Sequence, residues 1–160
     1  MFDPELMTAA AAQPCFDYSH PETARAMVAR MGATLVAKGY WKYLEESVSH
    51  EDLDIPNDAN QTSIPIRIYR PHNATKHGGA IVFFHGGGFM VGDLNVEHYR
   101  CLKWAQGTKT IVISCDYRLS PENRYPAAQE DCVGCFHWVV NNATELDIDP
   151  SVIVVAGVSV

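Results

Sequence analysis

Residues 80–94 read AIVFFHGGGFMVGDL: five apolar residues without a break, then a histidine and three glycines. A strand with one wet face alternates polar and apolar residues, so an unbroken run such as Ala80–Phe84 suits a strand covered on both faces. Ile111–Ile113 and Val152–Ala156 are two more runs of this kind. Between the three lie two stretches at helical spacing. One covers about Val96–Gln106. The other starts near Pro126, which fits a first helical turn because the missing N–H would have no partner there anyway. It carries Val133, Phe136, Val139 and Val140. Strand, helix, strand, helix, strand predicts an α/β fold with a parallel sheet. The three apolar runs are expected to be parallel neighbours at its buried centre.

Upstream, Ile64, Ile66 and Ile68 alternate with Pro65, Arg67 and Tyr69. This is the period of a half-buried strand, and Pro65 places it near a sheet edge, since proline cannot donate to a ladder. Before Val48 the period is helical. Ser19-His20-Pro21-Glu22 has the form of a capping box with Ser19 as N-cap. Ala24, Met27, Val28, Met31 and Leu35 follow on one face of a helix expected to reach about Glu46, weakened at Gly32 and Gly39. A short helix over 3–13 would be stopped by Pro14.

Composition narrows the function. The chain has 160 residues, 47% hydrophobic and 19% charged, which is globular composition and argues against disorder. Twelve Lys and Arg against nineteen Asp and Glu give a net charge of −7. Without a basic footprint there is nothing to grip phosphates, so no nucleic-acid partner is expected. Apolar stretches of about five residues are too short to span a membrane. Asp3 and Glu5 interrupt the place where a secretory signal would be apolar, so a cytoplasmic protein is expected. The sequons at Asn60, Asn73 and Asn142 then read as chance matches. The five cysteines have irregular spacing. Cys132-x-x-Cys135 has no second pair at ligand spacing and reads as ordinary thiols on a helix.

Two motifs carry chemistry. Three glycines at the end of a buried strand let the backbone approach a ligand and aim N–H groups into a cleft. His85-Gly86-Gly87-Gly88 lacks the phosphate-loop patterns; by itself it reads either as a flexible turn or, the better fit, as a donor loop for an oxyanion. At the other end, Val152–Ala156 runs into Gly157-Val158-Ser159-Val160, the first four positions of G-x-S-x-G. That motif is a strand-to-helix turn so tight that glycines must flank the serine, which the turn lifts clear of the sheet.

HGGGFMVGDL (85–94), DYRLSPENRYPAAQED (116–131) and AGVSV (156–160), in this order and spacing, resemble the hormone-sensitive lipase family of α/β-hydrolases. The resemblance is strong from about Ile64 to Val160 and looser over residues 1–50, where the family carries variable cap helices. It implies an α/β-hydrolase fold forming the N-terminal part of a single domain over 1–160. Residues 1–47 would be cap-like helices, and 48–160 the first strands, the oxyanion loop and the nucleophile elbow. It implies Ser159 as nucleophile, Gly86, Gly87, Gly88 and Val160 around the oxyanion, and no cofactor or metal. The substrate would be a short- or medium-chain acyl ester. His85 would shape its loop, while Asp116, Arg118, Glu122 and Asp131 would hold neighbouring loops by ion pairs and hydrogen bonds. Nothing in the sequence indicates a homo-oligomer.

Val158 and Val160 stand where the family has an acidic and a small residue. In this fold the triad acid and histidine follow the serine. All seven histidines (20, 50, 72, 77, 85, 98 and 137) precede Ser159 and read as surface or loop residues. The expectation is therefore that these 160 residues alone are inactive, with Val152–Ala156 left as an open apolar edge. Two alternatives remain open: a non-catalytic, receptor-like binder of small molecules, and a gene fragment without function of its own.

Overall fold

A computed structural model of the protein describes residues 6, 7, 17, 19–39, 41–57 and 61–158. The elements are α1 (Pro21–Ala37), α2 (Lys42–Glu45), β1 (Val48–Asn57), β2 (Thr62–Pro71), β3 (Gly78–Phe84), α3 (His98–Thr108), β4 (Ile111–Cys115), α4 (Ala127–Asn141) and β5 (Ile148–Gly157). The strands form one sheet in the order β1-β2-β4-β3-β5. β3 pairs in parallel with both β4 and β5, and β2 pairs antiparallel with β1 and β4.

The unbroken apolar runs have the expected cause. Side chains alternate across a strand, so a run of five needs cover on both faces. Ala80 and Val82 face a core formed with Ile66, Ile113, Cys135 and Val139, beneath α4. Phe83 and Val112 face the opposite core with Leu44, Cys101, Leu102 and Ala105, beneath α2 and α3. Helices on both faces of the sheet make this an α/β sandwich.

Several expectations need correction. The three apolar runs are parallel neighbours, but only β3 and β4 are buried. β5 is the edge, with Val152, Val154 and Val155 more than half exposed at 52%, 55% and 56%. It is bonded to β3 alone, and no described residue pairs with its other side. This is the open apolar edge that the sequence led one to expect. Conversely, β2 is internal despite Pro65. The β4 ladder begins at Ile66, so Pro65 needs no N–H toward β4, and its carbonyl still accepts from Asp116 N at 2.9 Å. The true edge beside it is β1, a strand the sequence reading missed. Its VSHEDLDIPN is buried only at Val48, Ile55 and Asn57 and carries no apolar alternation.

At the N-terminus, Ser19 does not cap α1. Pro21 starts the helix and His20 O takes the first helical bond, from Ala24 N, while the Ser19 hydroxyl bonds Asp17. The helix stops at Ala37 and does not reach Glu46. Gly39 turns at φ +64°, a left-handed conformation that suits glycine. Of the helix expected over 3–13, only Leu6 and Met7 are described, both helical. Among the described residues no helix is long and apolar enough to cross a membrane.

Candidate active site

The parallel register brings three loops to one place. Phe84, the last residue of β3, sits opposite Cys115 of β4 and Gly157 of β5. The HGGG segment, the Asp116–Pro126 segment and the chain leaving Gly157 therefore start side by side at the carboxyl end of the sheet. In open α/β sheets this is where ligands bind. A cavity of about 300 Å³ lies there, walled by His85, Phe89, Tyr117, Cys132 and Val158 among others. Ser159 and Val160 lie outside the described residues. The described chain reaches Val158, at the cavity wall. A larger groove of about 850 Å³ runs between α4 and the end of β1, past Asn57, His137 and Trp138. It touches neither the glycine loop nor the strand ends that carry the motifs.

The glycine loop owes its shape to residues without a side chain. Gly87 has φ +130°, and a Cβ there would collide with the carbonyl of Val91. A Cβ at Gly92, φ +113°, would strike the His85 ring. Gly88 at φ +59° is left-handed too but faces open space. The turn closes with Met90 N and Val91 N both donating to Gly87 O, at 3.0 and 3.1 Å. Among the described residues, no acceptor takes up the N–H of Gly87 or Gly88.

His85 is a loop residue, as expected, but it is nearly fully buried and not at the surface. Its ring stacks on Tyr117 with centroids 4.1 Å apart, and Tyr117 Oη donates to His85 O at 2.6 Å. Nδ1 lies 2.9 Å from Gly86 O, so Nδ1 carries the proton. Nε2 has no hydrogen-bond partner, and the Asp116 carboxyl is 3.8 Å away. Burial lowers the pKa of His85 and keeps the ring neutral. Burial, and then Asp93, push Asp116 up to about 6. His98 is the second buried histidine, held against Tyr69 Oη at 3.0 Å and lowered to about 4, chiefly by burial.

The second motif is braced as its charges suggested. Buried Asp131 accepts from Arg118 N (2.9 Å), Arg118 Nε (2.8 Å), an Arg118 terminal nitrogen (2.9 Å) and Asn57 Nδ2 (2.9 Å). Glu122 pairs with Arg25 of α1, which holds its carboxyl down at about 2. Among the described residues, Asp116 makes no such pair beyond the long approach to His85. Sequence reasoning missed Arg25 and Asn57, whose partners lie 65 to 97 and 74 residues away. No local pattern carries such a signal. Cys132 and Cys135 are free, as are Cys101 and Cys115. Cys115 packs against both Cys132 and Cys135, and burial pushes its thiol well above the ordinary range.

Comparison with known proteins agrees with this geometry. The family model described as alpha/beta hydrolase fold matches residues 81–160. Carboxylesterase NlhH of Mycobacterium tuberculosis is 43% identical over 96 residues, covering 60% of this chain and 30% of that protein. An arylesterase of Saccharolobus solfataricus is 36% identical over 109 residues, covering 68% and 35%. Among solved structures, a bacterial heroin esterase superposes with a TM-score of 0.87 at 30% identity, covering 97% of this chain and 48% of that one. Esterase LipW from Mycobacterium marinum gives 0.80 at 34% identity, covering 97% and 48%. The chain thus spans about a third of the length of the curated relatives and about half of the solved ones. With its three motifs at one sheet end and the family's segment running from β3 through residue 160, the chain belongs to the α/β-hydrolases, in the hormone-sensitive lipase family.

Proposed function

We propose that the protein is a serine carboxylester hydrolase acting on short- or medium-chain acyl esters through an acyl-enzyme. Ser159 Oγ adds to the ester carbonyl and gives up its proton to a base. The carbonyl electron pair moves onto oxygen, which the backbone N–H groups of Gly87, Gly88 and Val160 then hold, with Gly86 completing the loop. Collapse of this intermediate expels the alcohol, which takes back the proton, and water then releases the acid from Ser159. In the family's chain order the acid and the histidine follow the serine. In this reading residues 1–47 form a cap and 48–160 belong to the catalytic domain.

One observation supports this reading above the rest. Two glycine N–H groups without acceptors stand at the same sheet end as Val158, one residue before the serine. The ester-hydrolysing relatives agree with it. The test uses protein expressed from its complete coding sequence, with p-nitrophenyl acetate and butyrate as substrates and a fluorophosphonate probe. Turnover and probe labelling that both vanish in Ser159→Ala are the expected outcome. Tight ligand binding without serine-dependent turnover would refute it and favour a receptor-like protein.

A further inference from the structure

Helix α1 is exposed along most of its length, and Ala24 is the only buried residue among its described side chains. The next residue carries its attachment. Arg25 Nε donates to Met90 O at 2.7 Å, and one terminal nitrogen donates to Ser120 O at 2.7 Å. The two terminal nitrogens also meet the two carboxylate oxygens of Glu122, both at 2.8 Å. Ser120 N in turn donates to Phe89 O at 2.8 Å. One guanidinium therefore fixes two carbonyls of the glycine loop, Met90 directly and Phe89 through Ser120.

Met90 links this clamp to the proposed donors. Its carbonyl is held by Arg25, and its N–H donates to Gly87 O. Gly87 O and Gly88 N–H belong to one planar trans peptide and point in opposite directions. Drawing Gly87 O into the turn therefore turns Gly88 N–H out of it. Arg25 acts on that plane through a single intervening residue.

We propose that Arg25 is a positioning residue, which holds the peptide plane carrying Gly88 N–H and so couples the seating of α1 to the donor geometry of the glycine loop. The inference rests on the ester-hydrolase reading. A planar, five-donor guanidinium suits this task, because its fork can serve two carbonyls and a carboxylate at once. Lysine, with three donors on one nitrogen, cannot make all four of these bonds.

The experiment compares wild type, Arg25→Ala, Arg25→Lys and Glu122→Gln, each expressed from the complete coding sequence. Ester kinetics and backbone amide exchange are measured on all four. In Arg25→Ala, kcat is expected to fall about 100-fold, the scale of a 1 Å misplacement at a reacting centre. KM should stay within about threefold, since the donors act on charge that develops in the transition state. Amides of Met90 and Val91 should exchange faster, while those of β3 and β4 keep their protection. Arg25→Lys should recover only part of kcat. Glu122→Gln keeps both carbonyl contacts and should lose least, so the series stays informative if Arg25→Ala folds poorly. Faster exchange at 90–91 with kcat unchanged would make Arg25 a plain tie for the helix and overturn the proposal. Unchanged exchange would overturn it as well. A wild type without Ser159-dependent turnover is a distinguishable failure. It removes the hydrolase reading, and the positioning role with it.

Discussion

Gly87 and Gly88 are adjacent and both have positive φ, yet alanine should affect them very differently. At Gly88 a methyl group would meet nothing within 4 Å. The cost is that of placing an L-residue in the left-handed region, about 1 kcal/mol. At Gly87 the φ of +130° lies where L side chains rarely go, and the new Cβ would collide with the Val91 carbonyl. Strain there costs at least about 1 kcal/mol. Relief requires Val91 to move, which breaks the bonds from Met90 N and Val91 N to Gly87 O. Each contributes about 1 kcal/mol net, so the total is about 3 kcal/mol. Urea unfolding followed by fluorescence of Trp41, Trp104 and Trp138 should thus show a loss about three times larger for Gly87→Ala than for Gly88→Ala. Ester turnover should fall at least about 100-fold in Gly87→Ala, the effect of losing one oxyanion donor. Both variants keep the backbone N–H, but Gly88→Ala leaves the turn in place and should lose much less. Equal stability of the two variants would refute the steric argument. Wild-type turnover in a destabilised Gly87→Ala would refute the loop's role as donor.

Two further outcomes follow from the site. The folded-state pKa of Asp116 is raised to about 6 from 3.8, so the folded protein binds its proton more tightly than the unfolded chain does. Stability should therefore fall as pH rises from about 4 to about 6, and Asp116→Asn should remove that slope and be the more stable protein at pH 7, as measured by urea midpoints. A slope of the opposite sign would contradict the assignment. A polypeptide of residues 1–160 and nothing more should give only trace hydrolysis of p-nitrophenyl acetate. Donors and binding alone leave roughly 10³–10⁴-fold acceleration over water, and full turnover that disappears in Ser159→Ala would mean that a base is recruited from within these residues or from a partner chain.

The sequence was legible where local pattern and tertiary burial agree. Ala80–Phe84 and Ile111–Ile113 read as doubly covered strands because α3 and α4 cover them, and the glycines read as a functional loop because no other residue fits at Gly87 or Gly92. β1 was illegible for the opposite reason. Its residues are polar on both faces, and it is a strand only because ten of them pair in register with β2. The valines of β5 carried two readings at once. Their unbroken run reads as full burial, while among the described residues the strand has a neighbour on one side only, the open edge that the sequence also led one to expect. Arg25 and Asn57 carry long-range polar ties, which leave no periodic trace in a sequence.

The site depends on sheet register more than on any single motif. β3 is bonded on both sides, and its last residue stands level with the last of β4 and with Gly157 of β5. That alignment starts the glycine loop, the Asp116 loop and the segment after Gly157 at one height. A slip of one residue in either ladder would shift a loop by about 3.3 Å along the strand and turn every side chain to the opposite face. A misplacement of about 1 Å is already enough to cost two orders of magnitude at a reacting centre. Such a slip is itself strongly opposed. It would move Phe83 out of the core beneath α3 and Val82 out of the core beneath α4, leaving a gap on one face and crowding the other. The apolar run in β3 therefore does two things together: it buries the sheet, and by fitting different side chains to its two faces it sets the height at which the three loops meet.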